Sequence, residues 1–309
     1  MVSGRGTRFV IIANPTAGRR DCAAYARKIA RLLQAGGAES RVAFTARRGD
    51  AERIAREALG VTPDGDGARL CVVACGGDGT IQEVVNAMAP EAGGESLLGL
   101  APAGRCNDFA SALGIRYDAE QVAGVLLAGK TRPVDVGKVN GRYFCTVAAL
   151  GFDAAVSRFV NDMRMPLRGT IAYVYGVLRV LLVYRCVAVR VVCDDDTFDG
   201  PRFLVASANT ASYGGQMRIA PTASPFDGEL DLCVVSVLSR FRVVRLLRRV
   251  IRGEHAGLAE VSLVRTRSVR IESEERQEIW ADGELVGETP AVIEVVPGVV
   301  RVVVPASFA

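Results

Sequence analysis

Lysine is almost missing from this chain. Lys28, Lys130 and Lys138 are the whole complement, and arginine carries nearly all of the positive charge. No G-x-x-x-x-G-K-[ST] string occurs, which excludes a Walker-type phosphate loop. Histidine is scarcer still, with His255 alone. That argues against a Ser-His-Asp triad or a multi-histidine metal site, and a general base is to be sought among carboxylates. The eight cysteines include no C-x-x-C pair, and several fall in apolar strand-like runs, where a free thiol acts as a small core residue. This pattern points to a reducing compartment and away from a zinc site. Long apolar runs are lacking too. "IAYVYGVLRVLLVY" is interrupted by Arg179 and is too short to span a bilayer, and the N-terminal apolar stretch is too short for a signal core. The chain is therefore expected to be cytoplasmic or peripheral on a membrane.

What is present suits a globular protein. Of the 309 residues 50% are hydrophobic and 23% charged, enough to fill one large core or two ordinary ones. A formal net charge of +4 gives no reason to expect nucleic acid as a partner. The first third alternates strand and helix signals: "RFVIIAN", "RRDCAAYARKIARLLQAGG", "SRVAFTA", "DAERIAREALG", "ARLCVVACGG", "TIQEVVNAMA", "SLLGLAPAG" and the short helix "NDFASALG". That order predicts an α/β domain with a parallel sheet over residues 1–134. From residue 135 to 309 the pattern becomes mostly β and sandwich-like. It contains an Asn-Gly hairpin in "RPVDVGKVNGRYFCTVAALGF", a helical stretch "LRGTIAYVYGVLRVLLVY" and strands such as "AVIEVVPG" and "VVRVVVP". The last strand is allowed to return to the first domain. Site residues are expected in a cleft between the two domains.

Three short glycine-bearing segments fall where the first domain's strands end. They are Asn14-Pro15-Thr16-Ala17-Gly18, Gly76-Gly77-Asp78-Gly79-Thr80, and Gly104 to Asp108. Glycines let backbone N–H groups approach phosphate oxygens, and a helix N-terminus adds favourable partial charge. Asp78 would repel a bare phosphate, so its presence implies a bridging cation or water. The tetrapeptide "DGEL" occurs twice, at Asp227–Leu230 and Asp282–Leu285, and each copy reads by itself as a turn. In "SRFRVVRLLRRVIRGEH", helical spacing puts Arg245, Arg248, Arg249 and Arg252 on one face. Val243, Leu246, Leu247 and Val250 fall on the other. This is either a surface helix with an apolar inner side or one that lies on anionic lipid.

The segments "NPTAG", "GGDGT", "GRCNDFA", "VDVG", "AALGFDA", "PTASPFDGELD" and "ADGE" follow one another as in the diacylglycerol kinase catalytic family. The chain resembles that family, which includes bacterial soluble lipid kinases and the sphingosine and ceramide kinases, over nearly its whole length. The resemblance implies two domains and an ATP- and magnesium-dependent kinase of a neutral lipid, diacylglycerol foremost, with ceramide or a sphingoid base as alternative acceptors. It places ATP beside Asn14, Pro15, Thr16, Ala17 and Gly18. Thr45 and the run Gly76, Gly77, Asp78, Gly79, Thr80, Ile81, Gln82 and Glu83 border the nucleotide as well. It implies an acidic network of Asp78, Asp108 and Asp135 around magnesium. Glu284 becomes the proton acceptor with Asp282 beside it, and the first DGEL a structural magnesium site using Ser224, Asp227 and Glu229. Arg105 stands where the family usually has threonine, within reach of a phosphate or of Asp78. The implied partners are a lipid substrate and an anionic membrane surface at the inner face of the membrane, with a homodimer as a further expectation. An NAD kinase, which shares GGDGT, and a non-catalytic lipid- or nucleotide-binding descendant are the competing readings.

Overall fold

The computed structural model describes residues 6–18, 21–60, 69–91, 96–162, 170–215 and 217–308, without the side chains of residues 91 and 170–174. It divides into two compact units, Met1–Asp135 with Pro297–Ala309, and Val136–Val296.

In the first unit, strands β1 (Thr7–Ala13), β2 (Glu39–Phe44), β3 (Arg69–Gly76) and β4 (Leu97–Pro102) pair in the order β2-β1-β3-β4, all parallel. The helices are α1 (Cys22–Ala35), α2 (Asp50–Gly60), α3 (Asp78–Met88), α4 (Asp108–Ala112) and α5 (Ala119–Ala128). α1 packs on α5, and α2 on α3. β3 and β4 are buried along almost their whole length, as a parallel sheet covered on both faces requires. α1 shows how its sequence sets its fold. Asp21 caps it by accepting from Ala24 N at 2.9 Å, and Cys22, Tyr25, Ala26, Ile29, Ala30 and Leu33 form its buried stripe. Each large apolar side chain so buried contributes about 1.5–3 kcal/mol. α5, absent from the strand-helix alternation read from the sequence, is capped by Asp118 and ends at Gly129 in the left-handed region.

The second unit is mostly β. It holds β6 (Arg142–Phe144), β7 (Val147–Gly151), β8 (Val187–Cys193), β9 (Thr197–Ala208), β10 (Leu230–Ser236), β11 (Val261–Thr266), β12 (Ser268–Glu272), β13 (Glu278–Ala281) and β14 (Glu284–Glu288). Its helices are α6 (Phe152–Asp162), α7 (Thr170–Val183) and α8 (Arg240–Arg252). Strands β5 (Thr131–Val139) and β15 (Ala291–Val303) contribute residues to both units. The order β14-β13-β7-β9-β8-β12-β15 is followed by hydrogen bonds, and β10 pairs with β9 and β11. Alternation along these strands makes two cores. Ala148, Leu150, Val205, Leu232 and Val234 face Val191, Val269, Ile271 and Ile293. Their sequence neighbours Ala149, Leu204, Ala206, Cys233 and Val235 pack with Leu181, Val243 and Val250 on the helices.

Several boundaries differ from the sequence reading. "SLVRTRSVRIES" is two strands, because β11 pairs with β10 whereas β12 pairs with β8 and β15. "AVIEVVPG" and "VVRVVVP" are one strand, β15, which carries Pro297 and Gly298 in its interior. The helix α6 follows β7 directly, where no helix is expected from the sequence; Ala154 and Val156 are its buried residues. The expected helix at 167–184 begins outside the described residues and is described from Thr170.

Candidate active site

The parallel register of the first unit aligns four strand ends. Ala13 is level with Phe44 and Cys75, and Gly76 with Pro102. The segments that follow these strands therefore meet at one edge. Asn14 N donates to Cys75 O at 3.0 Å, Thr45 N to Ala13 O at 3.0 Å, and Ala103 N to Gly76 O at 2.7 Å. Two glycines are required by the close approach. A β-carbon on Gly104 would lie 2.4 Å from Gly77 Cα, and one on Gly18 would lie 2.1 Å from Ala103 O, at a φ of +68°. Thr16 is folded back onto Asn14, whose Oδ1 accepts from Thr16 N at 3.0 Å and from its hydroxyl at 2.8 Å. Asn107 takes the left-handed conformation, φ +55°, and its side chain closes the third loop on Gly104 through two hydrogen bonds.

Asp78 lies at the centre of this arrangement. It is the first residue of α3, whose N-terminus no side chain caps. Its Oδ1 accepts from Phe109 N at 3.3 Å, at the start of α4. Desolvation raises its pKa above the ordinary carboxylate value, against the lowering effect of backbone donors at 107–109. Asp108 is buried beside it. Cys106, on the same loop, is exposed. Arg105 itself is exposed and makes no ion pair among the described residues. Asp135 is buried on β5, and its Oδ1 accepts from Gly298 N at 2.7 Å. The remaining residues of the GGDGT helix are anchored within the first unit. Thr80, Ile81 and Gln82 are buried, with Thr80 over Gly76. Glu83 holds the N-terminus of α2, accepting from Gly49 N at 2.9 Å and Ala51 N at 3.0 Å. It thereby fixes the segment that carries Thr45.

A magnesium ion suits this chemistry. A desolvated carboxylate gains from a nearby cation. Magnesium is commonly held by one or two carboxylates with water and substrate phosphates completing its shell. Among the described residues no group of three or more His, Cys, Asp or Glu is arranged to hold a metal ion. Asp78 and Asp108 are the carboxylates that would serve that smaller requirement.

The two DGEL copies are different turns. At Asp282-Gly283 both φ angles are positive, +52° and +83°, as in the two-residue hairpin turn that joins β13 to β14. The Asp282 carboxylate accepts from Cys145 N at 2.7 Å, Thr146 N at 2.9 Å and the Thr146 hydroxyl. Asn161 of α6 donates to Gly283 O at 3.3 Å. Asn209, fully buried, donates to Cys145 O and, through its backbone, to Thr146 O. The Asp282 carboxylate thus fixes this turn, and Glu284 follows it, half-buried, at the start of β14. Thr146, Asn161 and Asn209 escape the sequence reading. The polar pair Asn209-Thr210 closing the apolar run "FLVASA" was their one visible signal.

At the first copy only Gly228 has positive φ, +73°, and Asp227 Oδ1 accepts from Glu229 N at 3.2 Å. Arg265 contacts Asp227 at 3.0 Å, Glu229 at 3.6 Å and Asp231 at 3.8 Å. Arg265 thus engages the Asp227 carboxylate, the one side chain of the expected structural magnesium site, whose other expected ligands are the backbone carbonyls of Ser224 and Glu229. His255, the only histidine, is also distant in role from these carboxylates. It is buried in the second unit, donates from Nε2 to Ile219 O at 2.8 Å, and has its pKa lowered by burial.

The fold is that of an α/β unit with glycine-bearing loops gathered at one edge of a parallel sheet, joined to a β-rich unit. Comparison with known proteins makes the class specific. Residues 8–139 match the model of the diacylglycerol kinase catalytic domain, and residues 146–304 that of the YegS C-terminal NAD kinase beta sandwich-like domain. Diacylglycerol kinase of Bacillus subtilis is 32% identical over 92% of this chain and 91% of its own length. That of Mycobacterium tuberculosis H37Rv is 35% identical over 76% of each. Two solved structures from Bacillus anthracis str. Sterne superpose with TM-scores of 0.80 and 0.72, at 25% and 23% identity, each covering 99% of both chains. The second is called a diacylglycerol kinase. The chain belongs to the diacylglycerol kinase catalytic family and is a lipid kinase.

Proposed function

We propose that the chain transfers the γ-phosphoryl group of ATP, with magnesium, to the primary hydroxyl of diacylglycerol, forming phosphatidic acid. The observation that carries this reading is Asp78: a desolvated carboxylate where three glycine-bearing loops converge, at the uncapped N-terminus of α3. Backbone N–H groups at the uncapped N-terminus of α3, with Gly18 and Thr45 nearby, are suited to nucleotide phosphates. Asp78 and Asp108 would hold magnesium, with Asp135 completing the acidic network. When bound, magnesium neutralises charge on the phosphates and on the group in flight. Arg105, exposed and without an ion pair among the described residues, would meet a phosphate.

Glu284 accepts the proton of the attacking hydroxyl, a role that suits a carboxylate because the only histidine is buried in a core. Asp282 holds the turn that presents it. The acceptor lipid is assigned to the cavity of about 470 Å³ lined by Ala154, Arg158, Phe159, Val180, Tyr184 and Arg276. α6 supplies part of that lining and also Asn161, which grips Gly283. A lipid acceptor is met at a bilayer, and no described helix is long and apolar enough to cross one. Peripheral association with the inner face of the membrane follows as part of the proposal.

The test is phosphate transfer from labelled ATP with magnesium to diacylglycerol, monoacylglycerol, ceramide and sphingosine in mixed micelles, with NAD in a parallel tube. Label in organic-extractable phosphatidic acid is expected. A preference for ceramide or sphingosine would move the acceptor within the class. Label only in NADP would overturn the lipid reading.

A further inference from the structure

Helix α8 has a buried inner face and an outer side on which exposed apolar residues stand among arginines. Val243 and Val250 are buried and Leu246 half-buried against the core that includes Leu181, Phe203 and Val235. This face accounts for the folding of the helix. A second stripe is apolar and open to solvent: Phe241 is 86% exposed, Val244 51% and Ile251 43%, with Val237 just ahead of the helix at 54%. At 100° per residue, positions 241, 244 and 251 fall within one quadrant of the helix. Leu247, expected on the inner face, lies at its margin and is 36% exposed.

Arginines enter and flank that stripe: at the same spacing Arg248 falls inside it, Arg240 at one edge, and Arg245, Arg249 and Arg252 along the other. Arg242 is ion-paired with Glu260, but Arg240, Arg245, Arg248, Arg249 and Arg252 make no ion pair among the described residues. The helix itself contains no acidic residue. Unpartnered arginines beside an exposed Phe-Val-Ile stripe are costly in water alone, since neither the charges nor the apolar groups are compensated. One surface satisfies both at once. Anionic headgroups meet the guanidiniums while the apolar stripe enters the adjoining acyl boundary.

We infer that α8 is the membrane-docking element of this protein. Phe241, Val244 and Ile251 insert at the headgroup–acyl boundary of an anionic bilayer, and the unpaired arginines engage its phosphates. The inference rests on the lipid-kinase reading only for the reason that a bilayer is sought. Its test therefore uses no nucleotide and no acceptor.

The full chain is sedimented with vesicles of phosphatidylcholine and phosphatidylglycerol in a two-to-one ratio, and with pure phosphatidylcholine vesicles. Binding to the mixed vesicles alone is expected, falling as salt rises. Phe241→Ser with Ile251→Ser should weaken it by about tenfold or more through lost apolar burial. Each of Arg248→Gln and Arg252→Gln should weaken it by about fivefold. Phe241→Trp should show fluorescence quenched by brominated acyl chains in the mixed vesicles. Thermal unfolding of the free variants checks that they are folded; these side chains are exposed, so unchanged midpoints are expected. Equal binding to both vesicle types, or variants that bind like the parent, would overturn the inference. So would self-association of the parent chain abolished by Phe241→Ser, which would assign the stripe to a second copy.

Discussion

Asp78 combines two demands that pull against each other. Its carboxylate is desolvated, so its charge costs stability in the metal-free protein, and the same desolvation makes it a strong seat for a cation. Because its folded pKa is raised, its contribution is most favourable below the unfolded value and is lost as pH rises through the folded one. Asp78→Asn keeps an acceptor for Phe109 N and removes the charge. The metal-free variant should therefore melt about 2 °C higher than the parent at neutral pH. That advantage should vanish in acid, where Asp78 is protonated in both states. Turnover of the same variant should fall by at least about a hundredfold. Calorimetry across pH, with a kinase assay on the same samples, checks both halves. Asp282 and Glu284 separate in another way. Asp282→Ala leaves Cys145 N, Thr146 N and the Thr146 hydroxyl without their acceptor, and should cost about 2–4 kcal/mol in urea unfolding. Glu284→Gln should stay within about 0.5 kcal/mol of the parent. It should still lose about a hundredfold or more in turnover, the usual scale for a proton-transfer group.

At the scale of elements, the loops at the nucleotide edge are held by side chains on neighbouring helices. α2 begins under two carboxylates. Asp50 accepts from Ala46 N and Arg47 N, and Glu83 reaches from α3 to Gly49 N and Ala51 N. The segment after β2, with Thr45 at its start, is thus tied to the GGDGT helix. Glu83→Ala should cost about 1 kcal/mol, the scale of a lost helix cap. It should also weaken nucleotide affinity severalfold through the loosened Thr45 segment, while Glu83→Gln, which keeps one of the two acceptors, should fall between Glu83→Ala and the parent in both. Urea unfolding and nucleotide titration of the two variants would distinguish this from a direct ligand contact, for which Gln would fail as badly as Ala. The strand-helix alternation of the first unit was readable because β1, β3 and β4 are continuous apolar runs bounded by glycine. α6 was not, because "FDAAVSRFVND" buries only Ala154 and Val156 and so lacks a broad apolar stripe.

For the whole molecule, the first unit is discontinuous in sequence. Residues 297–309 belong to it: Val302 pairs with Leu98 of β4, Val304 N donates to Lys130 O at 2.9 Å, and Arg132 donates to Phe308 O. Truncation after Val296 should therefore unfold the nucleotide unit although it removes no residue of the three loops. Loss of ATP binding with rapid proteolysis of the region 1–135 is the expected outcome. A truncated chain that binds ATP like the parent would refute this.

The sequence by itself determined the α/β and β-rich halves, the strand ends where the glycine loops fall, and the family, since each depends on local periodicity or on contiguous motifs. It showed that α8 is basic on one side and apolar on another. Tertiary structure alone decided which apolar residues of that helix are core and which are left open, because burial depends on what the rest of the chain packs against it. It also separated the two DGEL copies. One set of letters became an Asx turn balanced by Arg265, the other a positive-φ hairpin stapled to residues 145–146. The partners that make this difference, Arg265, Thr146 and Asn209, lie 38 to 136 positions away along the chain, where no local pattern registers them.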